Sequence, residues 1–170
     1  MTDILATYLA ESRVSAVLAV LALLGFLVVG ARLSIIDVRS HLLPNRIIFP
    51  AYPSAGLLLG LAGLLAGDGA RVLTMIGGAV VLWLAYFLLR VLYPAGMGFG
   101  DVKLAGLLGL YLGFVGWSHL LWGTIAAFGL GALWGVVLIA SRRGTLTSAM
   151  PFGPFMIAGT ALAMGLPSLG

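Results

Sequence analysis

The apolar positions of this chain fall in long unbroken runs rather than in narrow amphipathic stripes. Val14 to Ala31, Ile47 to Gly67 and Val72 to Leu89 each carry no charge, and neither do the 38 residues from Leu104 to Ser141. A helix crossing a bilayer needs about 20 mostly apolar residues, so the first three runs predict one crossing each. At about 1.5 Å rise per residue the fourth is too long for a single crossing. The stretch Gly113 to His119 supplies a break, which predicts helices over 104–116 and 119–140. A last run, Pro151 to Leu166, completes six predicted transmembrane helices. The pattern predicts an all-α polytopic membrane protein with one membrane-embedded domain over 1–170, without a linker or a sustained repeat.

The charges between these runs alternate. The segments 32–46, 90–103 and 141–150 hold Arg32, Arg39, Arg46, Arg90, Lys103, Arg142 and Arg143, whereas the opposite side holds only Arg13 and Arg71. Basic loops stay in the cytoplasm, so these three are predicted to be cytoplasmic and both termini outside. Six helices also require both termini on one side. Asp3, Glu11 and Arg13 precede the first run where a secretory signal would be basic, so that helix is expected to remain.

Composition closes off other classes. Of 170 residues, 62% are hydrophobic and 8% charged, against about 25% charged in an ordinary soluble domain. A water-facing surface cannot be covered that way, and disorder needs the opposite bias. The partner implied is the lipid bilayer. The net charge of +4 reports orientation rather than nucleic-acid binding. Without cysteine there is no disulfide, thiol nucleophile or thiolate-bound zinc. The two histidines are distant in sequence, so no metal site and no cofactor are expected. His41 reads as a loop residue, and His119 as an external-interface residue beside Trp117 and Trp122. Small residues four apart (Gly56/Gly60, Gly109/Gly113 and Ala127/Gly131/Gly135) predict close helix packing, with a dimer face as the second reading. Nothing in the pattern sets an oligomeric state.

Only five acids are present: Asp3, Glu11, Asp37, Asp68 and Asp101. The first two lie in the external tail, and Asp68 in a Gly-Asp-Gly turn. Asp37 follows two isoleucines at the exit of the first helix, in a loop that ends on Pro44 and Asn45. Asp101 follows the alternate glycines Gly96, Gly98 and Gly100, a stretch of backbone poor in side chains, where the fourth helix begins. Each acid alone reads as a helix cap or as a partner for a neighbouring arginine. Together they put two carboxylates on one membrane face near hydrocarbon depth, where acids are rare and usually functional. Two carboxylates sharing a site do not both ionise easily. The pair can hold one proton and activate a water, the chemistry of aspartic proteases. His-Glu-x-x-His is absent, and neither histidine has a serine-protease context.

The segment Gly96-Met97-Gly98-Phe99-Gly100-Asp101-Val102-Lys103-Leu104 resembles the Gly-x-Gly-Asp signature of the type IV prepilin peptidases, which are membrane aspartic proteases. Asp37 with Leu43-Pro44-Asn45 resembles their first aspartate motif, and Met150-Pro151-Phe152-Gly153-Pro154-Phe155 a third stretch at the start of their last helix. The resemblance implies that Asp37 and Asp101 are the catalytic pair, with Gly98, Gly100, Lys103, Pro44 and Asn45 shaping the site. It implies removal of a short basic leader from prepilins or pseudopilins at the cytoplasmic face of the inner (plasma) membrane. Lys103 belongs to the same motif; the sequence does not set its role, though a cation nearby would favour the ionised form of a carboxylate. The chain resembles the short, peptidase-only form, without the cysteine-rich loop and N-methyltransferase activity of longer members. Two rivals stand beside this reading: a broader Gly-x-Gly-Asp intramembrane protease, and a non-enzymatic transporter or assembly subunit using the acids as a proton or cation site.

Overall fold

The computed structural model describes residues 1–94, 96–141 and 150–167, and its regular elements are all helices. They are α1 (Thr2–Glu11), α2 (Arg13–Ser40), α3 (Asn45–Leu65), α4 (Gly69–Leu92), α5 (Phe99–Val115), α6 (Trp117–Ala140) and α7 (Gly153–Gly165). Four of these, α2, α3, α4 and α6, are long and apolar enough to cross a membrane. Helices α5 and α7 are shorter, at 17 and 13 residues. Arg142 and Arg143 of the third basic loop lie outside the described residues.

The six predicted segments all recur, with two corrections. First, residues 2–11 form a helix, not a tail. Ile4 and Tyr8 of α1 are buried, and the Tyr8 ring meets Phe114 edge-on at 6.4 Å. Ser12 then caps α2 by accepting the Ser15 N–H at 3.3 Å. Second, α2 does not end at residue 31 but runs to Ser40 and carries Arg32, Arg39 and Asp37 with it. Its buried face is Ala16, Ala19, Ala22, Phe26, Gly30, Leu33 and Asp37. Those intervals of three and four are one helical stripe. The arginines lie off the stripe and are exposed, so they do not interrupt the helix. His41 stops it in the left-handed conformation (φ 53), its N–H bonded to Asp37 O at 2.8 Å.

The 38-residue run breaks at Gly116, whose φ of 151° a side chain would oppose. Helix α5 is the centre of the bundle: every residue from Leu104 to Val115 is buried, as expected of a helix apolar all round. It packs most extensively on α4, where a Cβ on Gly78 would stand 2.7 Å from Gly109 O. The predicted Gly109/Gly113 pair therefore does bring backbones together. Gly56 and Gly135 face open space, so close packing does not explain them. His119 is buried rather than set in an aromatic belt. Its Nε2 lies 3.4 Å from Leu166 O, while Trp117 and Trp122 are exposed.

The contacts sort the helix termini into two ends. At one end, the Asp68 turn and Arg71 meet the last carbonyls of α5. At the other, the end of α2 and the starts of α3, α5 and α7 converge.

Candidate active site

Asp37 occupies the last turns of α2 and is only 5% exposed. Its Oδ2 accepts the Gly153 N–H at 3.0 Å. Gly153 opens α7, so this donor is one of the N–H groups a helix cannot satisfy within itself, and the carboxylate faces the positive end of the helix. A Cβ on Gly153 would stand 2.8 Å from that same oxygen. The approach therefore requires glycine. Helix α5 starts from Gly98, and Asp101 at its third position turns back so that Oδ2 accepts the Gly98 N–H at 3.1 Å. An acid in the first turn also suits the helix dipole. Asp101 lies within electrostatic range of the Asp37 charge and of Arg90. Neither acid makes an ion pair with a described residue. In each, Oδ2 is held by one backbone N–H, and Oδ1 accepts no hydrogen bond from a described residue.

The other predicted site residues hold these two segments together. Pro44 caps α3 in extended conformation and Asn45 is its first residue, so the Pro-Asn pair ends one element and starts the next. Lys103 Nζ donates to Asn45 Oδ1 at 2.8 Å and stands over the rings of Phe99 and Phe49, 4.9 Å and 5.4 Å from their centroids. Its backbone carbonyl accepts from Tyr52 Oη at 2.6 Å. The role of Lys103, which the sequence leaves open, is defined by the fold: its charge is engaged by Asn45 and two aromatic faces. The cation bearing on Asp101 is Arg90, which also donates to Met97 O and lies over Phe99. Gly98 lies just before α5, and Gly100 is already inside it. A Cβ on Gly100 would meet the Leu43 side chain at 3.0 Å.

Three contributors are given no site role by the sequence: Gly153, Leu43 and Arg90. Leu43 packs against both Gly100 and Gly153, and so draws the starts of α5 and α7 onto the α2–α3 connection. Gly153 and Leu43 both lie inside the quoted motif stretches, which is the signal that could have flagged them. No group of three or more His, Asp or Glu side chains that could hold a metal occurs among the described residues.

The arrangement is two carboxylates on different helices, partly sheltered from water, each oriented by a single backbone donor and each with an oxygen left over. That suits a shared proton and an activated water.

The chain is similar in sequence to known proteins. The type IV leader peptidase family matches residues 21–139, a span that includes both aspartates. The prepilin leader peptidase/N-methyltransferase of Pseudomonas putida is 39% identical over 129 residues, covering 73% of this chain and 42% of that protein. Its counterpart from Burkholderia pseudomallei (strain 1026b) is 34% identical over 147 residues, 86% of this chain and 46% of that protein. The one from Aeromonas salmonicida (strain A449) is 36% identical over 125 residues, 73% and 42% of the two chains. The chain thus spans less than half the length of these curated relatives. No solved structure gives a significant match. With the family pattern covering more than half of its residues, the chain belongs to the type IV leader peptidase family.

Proposed function

We propose that the chain is a membrane aspartic endopeptidase that removes a short basic leader from prepilins or prepilin-like proteins. The observation that carries this reading is the convergence of Asp37 and Asp101 from α2 and α5, each held through Oδ2 by one glycine N–H. In this reading the pair holds one proton and titrates as a unit. The ionised carboxylate takes a proton from a water lying between the two. The water oxygen bonds to the scissile carbonyl carbon, while the protonated carboxyl donates to the carbonyl oxygen. The tetrahedral species collapses as the C–N bond breaks, and the amine leaves with a proton returned by the dyad. Glycines 98 and 153 orient the acids. The Lys103–Asn45 bond holds the two segments in register.

The membrane arrangement belongs to the same proposal. The shorter helices α5 and α7 join the four long ones as six crossings, and residues 1–170 form one unit. The aspartate end, which carries Arg32, Arg39, Arg46 and Arg90, faces the cytoplasm, and both termini lie outside. The site is then at the cytoplasmic face of the inner membrane, where a basic leader ahead of an apolar anchor would be presented.

The test is co-expression with a prepilin carrying a basic leader, with leader loss followed by gel mobility. Asp37→Asn and Asp101→Asn should each abolish processing while the protein stays in the membrane. Full processing by either variant would falsify the dyad. Processing should also survive exhaustive chelation, since neither step uses a metal.

A further inference from the structure

Three of the five acids gather at the end of the bundle opposite Asp37 and Asp101, around a cavity of about 250 Å³. Asp3, Thr7 and Glu11 follow one another at four-residue steps along α1, so they form one polar stripe on its rim. All three are exposed. Ile4 and Tyr8, one position further round the helix, are buried and form the inner wall. Asp68 and Arg71 border the cavity from the α3–α4 turn and the start of α4. The space holds several waters at about 30 Å³ each.

The charges around it do not cancel. Against three carboxylates stand two cations, Arg71 and the Met1 amino group, and both are engaged. Arg71 Nε donates to Asp68 Oδ2, and its Nη1 to the carbonyls of Phe114 and Val115 at 2.9 and 3.3 Å. The Met1 amino group donates to Met164 O at 3.1 Å. Solvated acids alone would not make a site, but Tyr8 adds a buried polar group. Tyr8 is 2% exposed, and its Oη is the one buried side-chain polar atom among the described residues without a hydrogen bond. The hydroxyl lies within electrostatic range of Arg71, Asp68 and Glu11, which all line the cavity, so it is directed to the charged side of that space. A buried hydroxyl without a partner costs stability unless something from outside the chain satisfies it.

We propose that this cavity binds a primary ammonium group, carried by an aminophospholipid headgroup or by a free amine such as ethanolamine. An ammonium brings three N–H donors and no acceptor. The Asp3 and Glu11 carboxylates and the Tyr8 oxygen supply acceptors around the cavity, and the added charge offsets the excess carboxylate. An anion would meet three acids and two engaged cations. A metal ion is disfavoured, because these acids do not converge into a group that could hold one.

The site takes no part in the cleavage proposed above, so its test reads binding and not processing. Protein purified in detergent is titrated with ethanolamine and phosphatidylethanolamine, and with choline and phosphatidylcholine, whose trimethylated nitrogen has no N–H. Saturable binding, followed by native mass spectrometry and by a rise in melting temperature, is expected for the first pair and about tenfold weaker or less for the second. Binding of the lipid alone assigns the ammonium to the headgroup, and binding of ethanolamine as well assigns it to either source. Asp3→Asn and Glu11→Gln, on the exposed face of α1, should together raise the Kd about tenfold. Tyr8→Phe should raise it about threefold while leaving the ligand-free melting temperature unchanged or higher, because the unpartnered hydroxyl is gone. Equal binding of choline, a Kd indifferent to all three substitutions, or no saturable binding (a cleft that holds water only) would overturn the proposal.

Discussion

The two ends of the helical bundle treat their acids in opposite ways. At one end Asp68 caps α4 by accepting the Arg71 N–H at 3.1 Å, and its Oδ2 takes the Arg71 Nε at 2.7 Å. Arg71 in turn donates to Phe114 O at 2.9 Å, at the end of α5 where free carbonyls favour a cation. The Asp68 carboxylate, the Arg71 guanidinium and the Phe114 carbonyl are all partnered there, and the result is a fastening between α4 and α5. At the other end Asp37 and Asp101 have no ion pair with a described residue, and each spends one oxygen on a single glycine N–H. Arginines are close by in sequence, yet Arg39 lies on the exposed side of α2 and Arg90 binds the Met97 carbonyl. A charge satisfied on all sides is structural, whereas a charge held in orientation but left partly unsatisfied is poised for chemistry.

The contrast is broken most directly by neutralising each acid. Asp37→Asn and Asp101→Asn should each reduce leader removal about a thousandfold or more, as expected for groups acting as a unit. Their thermal stability should change little, because the amide can still accept the glycine N–H. Retained cleavage on a gel would place both acids in the same class as Asp68.

The next largest effect is expected at Gly153→Ala. The added Cβ would stand 2.8 Å from Asp37 Oδ2 and must push the carboxylate or the start of α7 aside. Cleavage should fall about 10- to 100-fold, equivalent to about 1.4–2.8 kcal/mol in the transition state. Gly98→Ala is the milder control: its Cβ would sit at 3.1 Å from Asp101 Oδ2 with an ordinary φ of −72°. Kinetics of the two variants side by side rank the two glycines. Equal activity of Gly153→Ala and the parent would remove its role in orienting Asp37.

Lys103→Met should act more weakly and in a different manner. The variant keeps the apolar stem but loses the bond to Asn45 and the stacking on Phe99 and Phe49. A drop of about 10-fold in cleavage with a lowered melting temperature is expected, as for loss of a charge-assisted hydrogen bond worth about 1.5–3 kcal/mol. Because Lys103 points to Asn45 rather than to a carboxylate, Lys103→Arg should recover most of the stability. A shift of the pH–rate profile without loss of stability would instead put the cation beside the dyad.

How much of this contrast was visible beforehand depends on what kind of physics carried it. The segments that became α3 to α7 were legible because runs free of charge have few alternatives in a chain this apolar. Asp101 was correctly set at a helix start by the glycines before it. The length of α2 is not legible from charge alone, because Arg32 and Arg39 read as loop markers although the helix runs to Ser40. The spacing of Gly30, Leu33 and Asp37 keeps the buried stripe intact past them, and that signal was present in the sequence. Helix α1 was missed because ten residues bearing two acids make no apolar run, and burial of Ile4 and Tyr8 against other helices decides it. The Gly153–Asp37 bond joins residues 116 apart through a backbone donor. No side-chain pattern encodes such a contact. Lys103 belongs to the motif by sequence, but its neighbour is not legible there, since only the fold puts Asn45 within its reach.

The smallest effect on cleavage, and the sharpest test of the contrast, is expected at Asp68→Asn. The amide can still cap α4 by accepting the Arg71 N–H, so the helix start survives. What is lost is the charge facing the Arg71 guanidinium, in a pair whose side chains are about a third exposed. Solvent screens such a pair, so the cost should be about 1 kcal/mol or less, seen as a small fall in melting temperature. Arg71→Gln should cost more, because it also releases the Phe114 carbonyl and the face of the Phe114 ring. In both variants leader removal at the permissive temperature should stay within about twofold of the parent, well under the tenfold that 1.4 kcal/mol would bring. If Asp68→Asn instead abolished cleavage while the protein remained folded, the two ends would be coupled along α5. Asp68 would then act on the site through Arg71 and Phe114, and the division between a fastening end and a reactive end would fail.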